Sequence, residues 1–455
     1  MAQPSPTQEG TARRDGGRAL RAIVPAESFG DWAAATGRDP VAAVLADDGG
    51  RLDSLVPERH RRMALSPFAF FRATAGLMAA DLAPAPRTGL EVQACGDAHA
   101  SNFGTFATPE RRQVFDLNDF DETMRGPWEW DLQRLVASLV LAARDNGFGH
   151  ALADKAVRGA VLGYAEAMAR LAEAPAIDVW YDRVDLAELE QTAPRRSGRE
   201  RVAEVREEAR RHTGESAARK LTEKHRDSLR LRHRPPFLVP LRHIDEFVDE
   251  QATRRVLTEV HDAYVESLPE ERHRLLDEYA ILDAALKVVG VGSVGTRCLV
   301  VLLAERSTDT PLLLQIKEAR RSVLAAHLGD GPYANDGERV VRGQRAIQAT
   351  TDVFLGWTVA ESGRSYYVRQ FRDMKGSVDL STLTPRLLRG YGRVCAQALA
   401  LAHAVSGDRQ QLTGYLGDGA DLAPALVRFA ERYADQVEAD HAAFVAAVPE
   451  SSSTS

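Results

Sequence analysis

Two short apolar runs, Leu90–Cys95 and Gln113–Leu117, each lead straight into a loop crowded with carboxylates. The first loop is Gly96-Asp97-Ala98-His99-Ala100-Ser101-Asn102; the second is Asn118-Asp119-Phe120-Asp121-Glu122, with Asp116 just inside the run before it. Runs of this length and composition predict strands, and a strand anchored in a core is a rigid platform for polar groups. Gly96 lets the backbone turn sharply before Asp97. A carboxylate so placed can take the proton of a hydroxyl nucleophile, while an amide and a second carboxylate can hold Mg²⁺, which takes oxygen ligands. Asp97 fits the first role, and Asn102 with Asp116 or Asp119 fits the second. His99 is the second candidate catalytic residue, and it would bind phosphate, coordinate a metal or brace Asp97. The plainer reading assigns Asp97, Asn102 and Asn118 to caps and turns. Two such clusters, each directly after an apolar strand, weigh against it.

A second constellation lies far along the chain. Gly290-Val291-Gly292-Ser293-Val294-Gly295 falls between apolar runs expected as strands at Val288–Val294 and Cys298–Ala304, and the next strand, Leu312–Lys317, ends in a lysine. A dinucleotide-binding turn would need a helix directly after the glycines. A β-rich run follows instead, so the glycines read as a hairpin whose amides fold over phosphates. Lys317 shares a strand face with Leu313 and Gln315, and it is expected on the phosphates together with Gly290, Gly292, Ser293 and Gly295. Glu338, which opens a helical stretch to Ala349, is the expected partner of Lys317. A fourth strand is read at Tyr366–Phe371.

Helical patterning fills most of the rest. Ser66-Pro67 is an N-cap followed by proline, with Phe68, Phe71, Ala75, Met78 and Leu82 on one face of a single expected helix. Leu132 to Ala143, Ala151 to Leu171, Leu387 to Ala402 and Leu422 to Val448 follow, the last as one helix or a pair. Residues 195–234 carry 14 Lys or Arg against 7 Asp or Glu and read as a solvated, mobile helical insert, with a surface for an acidic partner as the sharper alternative. Residues 1–20 and 449–455 are too poor in apolar side chains to favour order.

The net charge of −7 argues against bulk nucleic acid as a partner. Cys95, Cys298 and Cys395 are far apart and form no Cys-x-x-Cys pair, so no disulfide partner is expected and a reducing, cytoplasmic setting fits. Met1 to Arg21 lacks the apolar core of a signal peptide, and no apolar run is long enough for a spanning helix.

Arg62-Met63 with Ser66-Pro67-Phe68, Cys95-Gly96-Asp97-Ala98-His99 with Asn102-Phe103-Gly104, Phe115 to Glu122, Gly126-Pro127-Trp128-Glu129-Trp130-Asp131, and Gly290 to Thr296 with Lys317-Glu318-Ala319 resemble the bacterial family catalogued as domain of unknown function 2252. At a deeper level the Gly-Asp-x-His-x-x-Asn loop and the acidic strand end are similar to those of aminoglycoside and choline kinases. That resemblance implies Asp97 as catalytic base, Asn102 as a metal ligand, Asp116 or Asp119 as the second, and Asp131 as a brace for the loop. Its order of parts differs. In kinases the glycine loop and lysine come first; here they follow, and the helix ending in Leu401-Ala402-His403, which ordinarily leads into the catalytic loop, lies near the C-terminus.

The expectation is an α+β chain with a two-lobed protein-kinase-like fold, circularly permuted, in which a small antiparallel-sheet nucleotide lobe faces a larger helical lobe. Residues 1–55 form a lead-in, 56–175 and 379–448 the helical lobe, 176–284 a charged insert and connector, and 285–378 the nucleotide lobe. The expected function is ATP-dependent phosphoryl transfer, with Mg²⁺ or Mn²⁺, to an unidentified hydroxyl on a small molecule or protein. Protein nucleotidyl transfer, a non-catalytic nucleotide-binding module and a metal-dependent phosphoesterase are the competing readings.

Overall fold

The computed structural model describes residues 6–193, 195–226, 228–244, 260–288, 290, 292–371 and 374–448. The chain is α+β, and among the described residues the paired strands are antiparallel. Strands β1 (Glu91–Ala94), β2 (Phe103–Ala107), β3 (Gln113–Leu117) and β4 (Met124–Pro127) surround the acidic loops, with β1 paired to β4 and β2 to β3. After β5 (Val184–Asp185), which extends the β2–β3 pair, come a hairpin of β6 (Thr222–His225) and β7 (Ser228–Leu231), and then β8 (Leu238–Pro240). The main sheet adds to β8 the strands β9 (Tyr279–Lys287), β10 (Cys298–Glu305), β11 (Pro311–Ala319), β12 (Gly356–Val359) and β13 (Ser365–Gln370), in the order β12-β13-β11-β10-β9-β8. A last strand, β14 (Gly376–Ser377), pairs with β2.

Both faces of the main sheet are covered, which is why β11 reads as a nearly continuous apolar run. Leu312, Leu314 and Ile316 pack with Tyr264, Leu268 and Phe354. Leu313, on the opposite face, packs with Ala217, Ala218 and Phe371. Lys317 lies on that second face, and at 2% exposure it must find charged partners within the protein.

The helical part is built around the helix Trp128–Asp145, buried at every position from Trp128 to Ala143. It packs against His150–Glu173, Pro385–Ser406 and Leu422–Ala447. Its charged residues are confined to positions with partners, such as Asp131 and Arg134.

Several expectations are corrected. Residues 6–23 are not disordered but form the helix Pro6–Ile23, held by Arg14 on Gln410 and Glu173 and by close backbone contact between Gly17 and Gln411 and between Gly414 and Arg14. Tertiary burial supplies what local composition lacks. The helix after Ser66 breaks at Arg72-Ala73-Thr74 into Pro67–Phe71 and Ala75–Leu82, although Ser66 Oγ does cap Ala69 N. Val288–Val294 is not a strand: Gly290 has φ +68° and residues 292–296 turn, so the strand entering the glycine loop is the earlier β9; Val289 and Val291 lie outside the described residues. The basic segment forms helices Arg196–Arg211 and Gly214–Leu221, which bury Val205, Ala209, Ala217 and Ala218 against the body. Leu422–Ala447 is one helix; the expected disordered tail, 449–455, lies outside the described residues.

Candidate functional site

The first acidic loop is fixed from behind. Gly96 has φ +82°, and a Cβ there would sit 2.5 Å from the Glu122 carbonyl oxygen, so only glycine fits. Asp131, in the first turn of the central helix, accepts from Cys95 N at 2.7 Å and Gly96 N at 2.9 Å. His403 Nε2 lies 3.2 Å from the same carboxylate, and its Nδ1 is 2.7 Å from Tyr164 OH. The helix Pro385–Ser406 thus ends against β1, where Ser406 Oγ also accepts from Gln93 N. Tyr391 OH donates to Ala100 O at 2.7 Å, and Asn102 Nδ2 donates to Asp97 O at 2.8 Å.

Asp97 Oδ1 accepts from Arg134 Nε at 2.7 Å. Burial raises the Asp97 pKa above the ordinary carboxylate value, against the pull of Arg134. His99 is pushed well below its usual value by burial and by the charges of Arg72 and Arg134, so it is a neutral imidazole. Its Nδ1 accepts from Ser101 N at 3.2 Å, which assigns the proton to Nε2, 3.7 Å from Asp97 Oδ2.

Lys317 meets the second loop. Its Nζ donates to Asp121 and lies 3.5 Å from Asp119 Oδ2, while Tyr367 OH donates to Asp121 Oδ1 at 2.9 Å. Burial lowers a lysine pKa, but here the two carboxylates outweigh it and hold Lys317 well above its usual value. The carboxylates divide the effect. Burial raises both, yet Lys317 and Arg369 bring Asp119 below the ordinary range, whereas burial and the Asp119 charge leave Asp121 above it.

A cavity of about 450 Å³ is lined by Asp97, His99, Asn102, Asp119, Asp121, Gly290, Gly292 and Ser293. The two acidic loops and part of the glycine segment therefore open into one space, while Lys317 does not line it and is joined to it only through Asp119 and Asp121. Gly295 lies outside that lining, with φ +88° and its carbonyl accepting from Leu52 N at 2.7 Å. Beside Asn118 a second cavity, of about 320 Å³, is lined by Gln315, Arg369, Phe371 and Lys375.

Two further expected residues are elsewhere. Asp116 does not line the larger cavity: its carboxylate accepts from Leu117 N at 2.8 Å and Ala349 N at 3.0 Å, and burial pushes its pKa up to about 7. Its alternation with Leu117 along β3 turns it away from the loop face. Glu338 does not pair with Lys317. It accepts from Ala334 N and pairs with Arg342, as a first-turn carboxylate does at its own helix N-terminus.

Other residues of the site were not read from the sequence. Arg134 had a legible signal, being the lone cation inside an apolar helical pattern. Arg72 lines the cavity with its Nε buried and unpaired, and Arg51 donates to Gly292 O and Val294 O, both at 2.8 Å, pinning the glycine loop from outside. Neither had a sequence signal, because their role depends on how the N-terminal segment folds back.

Among the described residues no cluster of three or more His, Cys, Asp or Glu could by itself hold a metal ion. Asn102 spends its amide nitrogen on Asp97, which leaves Oδ1 and the Asp119 carboxylate as oxygen donors at the cavity. No helix among the described residues is long and apolar enough to cross a membrane, and the three cysteines are buried and free.

No curated protein and no solved structure matches the chain. A family model does, over residues 51–447, a span that includes both acidic loops, the glycine loop and Lys317. The chain belongs to the family described as uncharacterized protein conserved in bacteria (DUF2252).

Proposed function

We propose that this chain is an ATP-dependent phosphotransferase of kinase-like design, with the two lobes joined in circularly permuted order and a hydroxyl group as acceptor. The observation that carries the reading is the meeting of Lys317 with Asp121 and Asp119 across 196 residues of sequence in the first pair, directly behind the cavity that those two carboxylates line together with Asp97 and the glycine loop. In kinases a glycine loop covers the phosphates, the lysine lies on the third strand, and an aspartate and a loop asparagine hold the metal. Here the glycine segment joins β9 to β10 and Lys317 is on β11, the third strand of that run. The permutation is supported by Ser406 and His403, which bring the end of their helix against β1 and Asp131 without a covalent join.

On this reading Asn102 Oδ1 and Asp119 would hold Mg²⁺, which suits an ion that takes one or two protein carboxylates or amides and completes its shell with phosphates and water. Bound Mg²⁺ would neutralise charge developing on the transferred phosphoryl group. Asp97, aimed by Arg134, orients the acceptor hydroxyl and takes its proton; a raised pKa makes it the stronger base. Lys317 binds the phosphates, and Asp121 anchors it in place of the expected helix glutamate. The nucleoside end extends toward the smaller cavity at Asn118, Gln315 and Phe371.

The test is thermal stabilisation by Mg·ATP together with ATP turnover. Wild type is stabilised by Mg·ATP and Lys317→Ala is not, while Asp97→Asn keeps the stabilisation and loses at least about 100-fold in turnover. Absence of stabilisation in the wild type, or full turnover in Asp97→Asn, rejects the reading. Metal-dependent hydrolysis of p-nitrophenyl phosphate that survives Lys317→Ala would favour the phosphoesterase instead.

A further inference from the structure

A cavity of about 840 Å³ lies apart from the candidate site. It lies between the helices His150–Glu173 and Pro385–Ser406 on one side and the short helices Leu186–Thr192 and Arg196–Arg211 on the other. Its interior is apolar, built from Phe115, Leu186, Leu189, Val205 and Val394. Six cations also line it, namely Lys155, Arg195, Arg201, Arg386, Arg389 and Arg393, and no Asp or Glu does. In a chain with 65 acidic and 58 basic residues, six against none is a local bias, not composition.

Internal pairing among the described residues takes up only two of the six cations. Arg393 pairs with Glu166, and Arg201 with Glu204 and Thr382 Oγ1. Arg201 Nε, however, is buried with no acceptor, an arrangement that is costly unless a ligand oxygen completes it. Among the described residues Lys155, Arg386 and Arg389 have no ion-pair partner. An apolar interior favours an apolar occupant, and a one-signed rim, solvated at Lys155, Arg195, Arg386 and Arg389, favours an anion over a cation. A bare phosphate satisfies only the second preference and a neutral lipid only the first.

We propose that this cavity is a binding site for a free single-chain amphipathic anion, an aliphatic body with a carboxylate or phosphate-monoester head. The body lies between the helices and the head meets the arginines. Its wall touches the candidate site from behind. Tyr391 lines the cavity and donates its hydroxyl to Ala100 O in the first acidic loop, and Phe115 lines it one residue before Asp116 on β3.

Isothermal titration of the full chain with sodium decanoate, below its micelle concentration, tests this. One decanoate per chain is expected, with decanol at least ten-fold weaker and octanoate weaker by roughly ten-fold. Two variants should each weaken decanoate at least ten-fold. Arg386→Glu with Arg389→Glu reverses exposed charges, and Gly390→Trp fills the cavity from a position where a Cβ meets nothing within 4 Å. Circular dichroism checks that both remain folded. No decanoate binding, equal binding of decanol, or wild-type affinity in both variants overturns the proposal. So does binding to anionic phospholipid vesicles in place of decanoate, since that would make the cations a membrane-docking face.

Discussion

Asp119 and Asp121 are two residues apart and chemically identical, yet their surroundings drive their pKa values in opposite directions. The split is that of like charges sharing one buried site: Lys317 and Arg369 favour the ionised form of Asp119, and burial with that charge then disfavours ionising Asp121. Burial without a nearby cation has a plainer effect, seen at Glu129. Its carboxylate accepts from Thr88 N at 2.7 Å inside the core, and burial pushes its pKa up to about 7 from 4.5. The folded state therefore keeps a proton that the unfolded chain has released, and this contribution to stability falls as pH rises from about 4.5 to about 7. Glu129→Gln, which retains the amide oxygen as acceptor, is expected to be near neutral at pH 4 and to stabilise at pH 8 by on the order of 1–3 kcal/mol. Urea unfolding at the two pH values measures it; a variant equally or less stable at pH 8 refutes the assignment. Asp97, Asn102 and Asp119 were legible as candidates because two acidic clusters each follow an apolar strand, and Lys317 because it is a lysine in an apolar strand after a glycine turn. Asp116 carried the same signal and is turned away, since one residue of alternation decides which face of β3 it occupies.

At the scale of elements, glycine marks where backbones touch. The helix Pro6–Ile23 lies against Arg409–Leu416, and a Cβ added at Gly414 would land on the Arg14 carbonyl oxygen. Gly414→Val is expected to force the helices apart at a cost of about 1–3 kcal/mol. Trypsin should then cut at Arg14, Arg18 or Arg21 at least several-fold faster while the rest of the chain stays resistant; an unchanged digestion rate would show that this crossing does not hold the helix. The helices 128–145 and 385–406 were legible from period alone, because their apolar positions repeat over many turns. The run Val288–Val294 misled for the opposite reason. Its apolar side chains suggest a strand, but glycine at positive φ lets the backbone turn instead.

Across the whole molecule, the N-terminal region acts on the glycine loop from outside. Arg51 is buried, donates to Gly292 O and Val294 O, and pairs with Asp47, which Arg59 and Arg320 also contact. Removing it strands two carbonyl groups and takes one of three cations from Asp47. Arg51→Ala is expected to destabilise by about 2–4 kcal/mol and to raise amide exchange at residues 292–296. Amides of the helix Pro385–Ser406 should keep their protection, as checked by hydrogen exchange with mass spectrometry. Equal loss of protection in both regions would mean a global rather than a local role.

The sequence by itself determined the elements and the chemistry of their ends: strands running into acidic loops, a glycine turn before a lysine-bearing strand, and long amphipathic helices. Those are local properties, set by period, turn residues and composition. Only the tertiary structure decided partnership. Lys317 pairs with Asp121 and not with Glu338, Asp116 faces a backbone amide rather than the cavity, and a polar N-terminal stretch becomes a packed helix. Each of these outcomes depends on which surfaces meet across hundreds of residues, and no local propensity encodes that choice.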